Sequence, residues 1–201
     1  MKNKFIKSTI ILIIGGLFTK VLGFIIKIAY TRIIGPEGIS LYMLIIPTYS
    51  LFITIAQLGL PIAISKLVAE NKNSKKIIFS TIPLMLILNF ILIILIIFIS
   101  PFISNTLLNE PRTKLLIMAS ALVLPFISIS SIIRGYFFGK QKMFPHTLSN
   151  IIEQIIKLGL ILIIIPFLLK KSLVLALTGL ILLNIISEVV SIIVFLFFIP
   201  K

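Results

Sequence analysis

Long apolar segments separated by short polar loops are the feature of this 201-residue sequence that most limits how it can fold. Residues 77–99 contain no charged side chain, and several other runs reach the roughly 20 apolar residues that cross about 30 Å of hydrocarbon as a helix. Because no water reaches that region, every backbone N–H and C=O group must be paired within the protein. The sequence therefore predicts an all-α integral membrane protein that crosses the bilayer repeatedly.

Six transmembrane spans can be placed, and together they make residues 1–201 a single six-helix transmembrane domain. A tight turn over residues 35–38 joins the first two spans, since Gly35-Pro36 favours a chain reversal. The predicted spans are about 6–34, 39–65, 77–99, 114–138, 146–169 and 173–198.

The composition argues against catalytic and metal-binding sites. The chain has no cysteine, no aspartate and a single histidine, His146, so no cluster of metal ligands or nucleophile–base set can be assembled. We expect no catalytic residue, no metal and no cofactor, and the chain is not expected to be an enzyme. The net charge of +14 lies mainly in loops, where it favours contact with lipid headgroups rather than with nucleic acid.

The loop charges also predict an orientation. If the N-terminus is cytoplasmic, eleven of the nineteen cations, Arg134 among them, lie on or near the cytoplasmic side, and five lie outside. The remaining three, Lys20, Lys27 and Lys157, are embedded in spans. Cytoplasmic loops carry the excess of lysine and arginine, so we expect a multi-pass protein of the cell membrane with both termini in the cytoplasm.

The first span carries two embedded lysines. Lys20 and Lys27 are seven residues apart, which places both on one helix face together with Gly16 and Gly23. Lys20 falls near the bilayer midplane, where a lysine costs roughly 2.5–3.5 kcal/mol. This cost favours a protein-lined cavity around Lys20. Snorkelling to the headgroups is the alternative, and it suits Lys27 better than Lys20.

The last two spans carry four further polar residues that we assign to the same cavity. Glu153 and Lys157 are spaced i, i+4 with the acid first, which predicts an ion pair within one helix. Asn184 and Glu188 share a face of the sixth span. Glu188 has no cation nearby in sequence, so it is either protonated, exposed to cavity water or paired with another helix, for which Lys20 is the candidate.

Several local strings resemble a known transporter family. They are FTKVLGF at 18–24 followed by GPEG at 35–38, GLPIAISK at 59–66, RGYFFG at 134–139 and IEQI at 152–155. In order and spacing they resemble stage V sporulation protein B-like polysaccharide transporters. That family belongs to the multidrug/oligosaccharidyl-lipid/polysaccharide exporter superfamily, which includes the lipid II flippases.

The resemblance implies a fold of two six-helix lobes that face each other in a V, and this sequence looks like the first lobe. A second lobe is then expected as a missing C-terminal half, a second chain or a second copy. The cationic cavity residue of lipid II flippases matches Lys20, and a second one aligns near Lys27. The implied substrate is an anionic lipid-linked sugar, whose diphosphate lies in the cavity while its tail stays in the membrane lipid.

Three functions remain in competition at this point. The first is a flippase lobe that moves a lipid-linked oligosaccharide or polysaccharide precursor across the cytoplasmic membrane. The second is a multidrug antiporter of the same superfamily, which the two lysines of the first span and its lack of acids disfavour. The third is a truncated fragment or accessory subunit that does not transport by itself.

Overall fold

A computed structural model describes residues 2–70 and 74–199, and the described chain is helical with no strand. The helices are α1 (Lys2–Gln57), α2 (Leu60–Glu70), α3 (Ser74–Phe102), α4 (Thr113–Gly139), α5 (Met143–Leu169) and α6 (Leu173–Phe198), and a π-helical turn, Ile103–Leu107, extends α3. Within the described ranges, five helical segments are long and apolar enough to cross a membrane: Ser8–Glu70, Lys76–Leu107, Thr113–Gly139, Met143–Leu169 and Leu173–Phe198. The prediction of an all-α chain is confirmed, whereas the number of six spans stays a prediction.

Helix α1 is broken at Gly35, which has φ 78° and ψ 177°. A positive φ of this size costs glycine little, and Pro36 suits the first position of the helix that follows. In one straight helix Tyr30 and Tyr42 would lie about 18 Å apart along the axis. Their ring centroids are instead 5.7 Å apart, so the chain folds back at Gly35. We call the two arms α1N (residues 2–34) and α1C (residues 36–57).

The second arm and α2 run alongside α4 in the same direction. Residue numbers rise together on the two sides of this interface, as the contacting pairs show: Glu37 with Arg112, Ala56 with Ser128, Gln57 with Ser131, Pro61 with Gly135 and Ser65 with Gly139. Between α1C and α2 the chain bends at Leu58 and Gly59, which both have positive φ.

Helix α4 forms the centre of the bundle. Its buried residues extend from Thr113 to Phe137, and every other long helix packs against it. Small residues permit the closest approaches, since a Cβ added at Gly135 would lie 2.7 Å from the carbonyl oxygen of Pro61. The helix therefore holds polar side chains away from lipid along most of its length.

Helix α3 continues past Pro101, although the sequence predicted its end near residue 99. A proline inside a helix leaves the carbonyl four residues earlier without its N–H donor. Here the hydroxyl of Ser100 donates a 2.9 Å hydrogen bond to the carbonyl oxygen of Ile97, the oxygen that Pro101 cannot satisfy. The side chain thus replaces the missing donor, as serine commonly does in membrane helices.

Candidate functional site

One arginine joins three helices inside the bundle. Nη2 of Arg134 on α4 lies 2.9 Å from Oε2 of Glu153 on α5 and 3.3 Å from Oε2 of Glu188 on α6. The side chains of Arg134, Glu153 and Glu188 are only 25%, 13% and 10% exposed. Two carboxylates this close would repel each other, and a guanidinium group in contact with both lowers the cost of burying them.

A second polar contact lies one helical turn away. The ammonium group of Lys157 donates a 2.6 Å hydrogen bond to Oδ1 of Asn184. Lys157 follows Glu153 by four residues on α5, and Asn184 precedes Glu188 by four residues on α6. The two contacts are therefore neighbouring rungs between α5 and α6. Together they contain two cations and two carboxylates, whose formal charges cancel.

The same row of polar contacts continues for one more turn. The hydroxyl groups of Ser149 on α5 and Ser191 on α6 lie 2.6 Å apart, and both residues are buried. We call the row of Arg134, Lys157, Asn184, Glu153, Glu188, Ser149 and Ser191 the polar column. It crosslinks α4, α5 and α6 by hydrogen bonds.

Two predicted pairings are corrected by this arrangement. Glu153 and Lys157 form no salt bridge, although both lie in the part of the chain that the structure describes. Helices α4 and α6 offer each of them a partner across the helix interface, and those partners replace the contact within α5. Glu188 likewise pairs with Arg134 and not with Lys20.

Arg134 is the functional candidate that the sequence prediction missed. It was counted with the cytoplasmic cations because it lies near the end of the fourth span. A signal was nevertheless present, since residue 134 falls inside the predicted span 114–138 and Glu188 lacked a cation. An embedded acid and an embedded base in different spans are expected to pair.

Lys20 and Lys27 lie on the open side of α1N and take no part in the polar column. Both are exposed, and a Cβ added to Gly23 would have nothing within 4 Å, whereas Gly16 lies at the edge of this face and borders a small cavity against α5. The buried side of α1N contains Ile26, about 120° around the helix from Lys20. We call the face formed by Lys20, Lys27, Gly16 and Gly23 the lysine stripe. Neither lysine has an ion-pair partner among the described residues.

A second arginine cluster lies at the end of the bundle where α1 turns. Arg112 holds Glu110 through two hydrogen bonds, of 2.9 and 3.1 Å, and contacts Glu37 at 2.8 Å. These hydrogen bonds lower the pKa of the Glu110 carboxyl and raise that of the Arg112 guanidinium group. The cluster is at least partly exposed, and it fastens the Gly35 turn to the segment before α4. Arg112 also lines an open pocket together with Lys114 and Val174.

Comparison with known proteins assigns the family. The profile of the polysaccharide biosynthesis protein family matches residues 5–201. The chain belongs to that family. It is 37% identical to stage V sporulation protein B of Bacillus subtilis (strain 168) over 196 residues, which cover 94% of this chain and 38% of that protein.

Two further relatives come from the same organism. The chain is 34% identical to sporulation protein YkvU, over 78% of this chain and 35% of that protein. It is 27% identical to the lipid II flippase MurJ, over 79% of this chain and 32% of that protein. The chain thus spans about a third of the length of these relatives. No solved structure matches it. The predicted resemblance is confirmed, and with the apolar helices it identifies a multi-pass membrane protein.

Proposed function

We propose that this chain is the first lobe of a flippase that moves a lipid-linked oligosaccharide or polysaccharide precursor across the cytoplasmic membrane. The observation that carries the proposal is the lysine stripe on the open side of α1N. An ammonium group facing hydrocarbon costs roughly 2.5–3.5 kcal/mol, so the stripe needs a polar surrounding. One of the relatives reported above is named as a flippase of lipid II.

Lys20 is proposed as the main contact for the anionic head of the substrate, with Lys27 as a second one. A lysine ammonium group binds phosphate as a point charge, and two of them on one face suit a diphosphate. The polar column has a different task in this proposal. Because Glu153, Lys157, Glu188 and Asn184 already have partners, they hold the wall of the cavity and contact substrate less directly than Lys20.

A second lobe is proposed to cover the lysine stripe. It would come from further residues of the same polypeptide, a second chain or a second copy of this one. The proposed fold has six spans per lobe, because α1N and α1C fold back on each other and each is long enough to cross the bilayer. Without a partner lobe, the chain is expected to self-associate and to show no flipping as a monomer.

The charge balance also separates the proposed function from export of organic cations. A cation exporter needs a carboxylate free to bind its substrate. Both embedded glutamates of the described chain are engaged with Arg134. A test of organic-cation efflux should therefore show none, and efflux that depends on Glu153 would favour the multidrug antiporter.

The proposal is tested on the polypeptide that carries these residues in the cell. Lys20→Ala should abolish export of lipid-linked sugar while the protein inserts at a normal level, because removing an embedded charge eases insertion. Lys20→Arg should keep part of the activity. Lys114→Ala is the control, since Lys114 is exposed and lies outside the lysine stripe. Unchanged export by Lys20→Ala at normal protein level would refute the role of Lys20.

Orientation is tested separately by reporter fusions. The excess of loop cations predicts cytoplasmic termini, so fusions at positions 73 and 141 should report the cytoplasm and those at 108 and 171 the outside. The reverse pattern would overturn both the orientation and the proposed direction in which the cavity opens.

A further inference from the structure

A small cavity lies between α1N and the first turns of α5, apart from the polar column. Its volume is about 40 Å³, and it is lined by Gly16 and Thr19 on α1N and by His146 and Asn150 on α5. The two helices approach closely beside it, because a Cβ added at Gly15 would overlap the side chain of Thr147. The cavity is therefore part of the contact that fixes α1N on the bundle.

Two buried polar atoms at this cavity have no hydrogen-bond partner. Nδ2 of Asn150 lies 3.3 Å from Nε2 of His146, and this contact leaves Nδ1 of His146 and Oδ1 of Asn150 unpaired. If Asn150 donates to Nε2, the ring of a neutral histidine carries its proton on Nδ1. Turning the amide over exchanges the roles of the two residues. In either case one donor and one acceptor remain unpaired.

Thr19 supplies a further acceptor. Its hydroxyl group donates 3.0 Å hydrogen bonds to the carbonyl oxygens of Gly15 and Gly16, which share its one hydrogen. The lone pairs of the Thr19 oxygen remain able to accept a hydrogen bond. His146, Asn150 and Thr19 therefore offer the cavity one donor and two acceptors when Nδ1 carries the proton, and the hydroxyl group of Thr147, which also lines it, can donate or accept.

This mixed set of groups selects the kind of ligand. A metal cation needs acceptors only and an anion needs donors only, so the His146 and Asn150 atoms suit neither. A water molecule can accept from His146 and donate to Asn150 and Thr19, which gives the three hydrogen bonds that buried waters typically form. One water molecule occupies about 10–15 Å³ of cavity volume. The cavity of about 40 Å³ is therefore large enough for a few water molecules and too small for a sugar ring.

We infer that this cavity is a water-binding site that bridges α1N to α5. The bridge satisfies His146 and Asn150 inside the membrane-spanning part of the chain. Because Thr19 directly precedes Lys20, the same water orders the helical turn that carries Lys20. This inference does not depend on the proposed transport function.

The single histidine of the chain permits a direct test. With ¹⁵N-labelled histidine, the protein in membranes gives one imidazole, and solid-state NMR measures magnetisation transfer from water to it. We expect rapid transfer to the His146 ring. Absence of transfer in the unmodified protein would overturn the inference.

Filling the cavity with a larger side chain provides a second test. Gly16→Leu should abolish the transfer, because Gly16 lines the cavity. Gly23→Leu is the matched control, since a Cβ there also has nothing within 4 Å but Gly23 does not line the cavity. If Gly16→Leu does not fold, Asn150→Leu removes one partner of the water and should weaken the transfer several-fold. Transfer that persists unchanged in either folded cavity variant would contradict the inference.

Discussion

Nη2 of Arg134 lies 2.9 Å from Oε2 of Glu153, although the two residues belong to different helices and stand 19 positions apart. The same nitrogen reaches Glu188 on a third helix. In a membrane, where apolar packing alone discriminates weakly between helix faces, such a contact also specifies how the helices are rotated against each other. The polar column thus has a structural role whether or not it touches substrate.

Arg134→Met should destabilise the chain strongly, because it leaves Glu153 and Glu188 buried without their cation. Breaking a buried ion pair in this way costs about 3–5 kcal/mol in soluble proteins. The free energy of unfolding in bicelles measures the effect. Arg112→Met is the matched control: Arg112 also joins two glutamates, but it is 47% exposed, so its loss should change stability little. Equal losses for both variants would contradict the burial argument.

A double-mutant cycle distinguishes the observed partner of Glu153 from the one that the sequence predicted. The coupling energy between Glu153→Gln and Arg134→Met should fall in the range of about 0.5–3 kcal/mol that is typical of residues in contact. The coupling between Glu153→Gln and Lys157→Met should be smaller, because Lys157 is bonded to Asn184. A larger coupling energy between Glu153 and Lys157 would instead support an ion pair between these two residues within α5.

Gly35→Ala should destabilise the turn between α1N and α1C. The space around Gly35 is open, so the cost comes from its backbone, whose φ of 78° and ψ of 177° lie in a region used almost only by glycine and cost alanine about 1–3 kcal/mol. Gly23→Ala is the control, because its surroundings are equally open and its backbone is helical. Alanine there should be neutral or stabilising by up to about 1 kcal/mol. Similar behaviour of both variants would show that φ at position 35 is not a constraint.

The contact between Arg112 and Glu110 should respond to acid. Hydrogen bonds from Arg112 lower the pKa of Glu110 below its ordinary value of 4.5. The contact therefore contributes stability above that value and loses it as pH falls through the lower folded-state pKa. Since the chain has no cysteine, spin labels at Ser40→Cys and Thr106→Cys can report the distance across this cluster. The distribution of the distance between the two labels should broaden in acid, and in Glu110→Gln it should depend less on pH in this range.

Features that depend on a single segment could be predicted from the sequence. The apolar runs located the helices, and Gly35-Pro36 located the turn in α1, because both signals lie within one stretch of chain. The continuation of α3 past Pro101 was not predicted, although its cause, the hydroxyl of Ser100, is adjacent in sequence.

Partners across helices could not be predicted in the same way. The spacing of Glu153 and Lys157 is favourable in an isolated helix, but α4 and α6 bring Arg134 and Asn184 closer. Which face of α4 meets α5 depends on the packing of the whole bundle, and no local pattern encodes it. The water-binding cavity has the same origin, since His146 and Thr19 meet only through the contact of α5 with α1N.

The closest approach of a glycine to the backbone of another helix yields the last prediction. A Cβ added at Gly139 would lie 2.5 Å from the carbonyl oxygen of Ser65 and 2.8 Å from the side chain of Val68. Because the nearest atom belongs to the backbone, it cannot move without shifting α2. Gly139→Ala should therefore separate α2 from α4 and expose Val68, which is 2% exposed in the structure.

The separation can be measured by disulfide formation between Ser65→Cys and Lys140→Cys, which should fall in Gly139→Ala. Gly159→Ala is the control, because a Cβ at Gly159 has nothing within 4 Å. In this variant the two cysteines at positions 65 and 140 should crosslink as well as they do without any glycine substitution. Equal crosslinking in Gly139→Ala and in this control would contradict the prediction. It would mean that α2 packs loosely enough on α4 to admit a Cβ that lies 2.5 Å from the carbonyl oxygen of Ser65 in the structure.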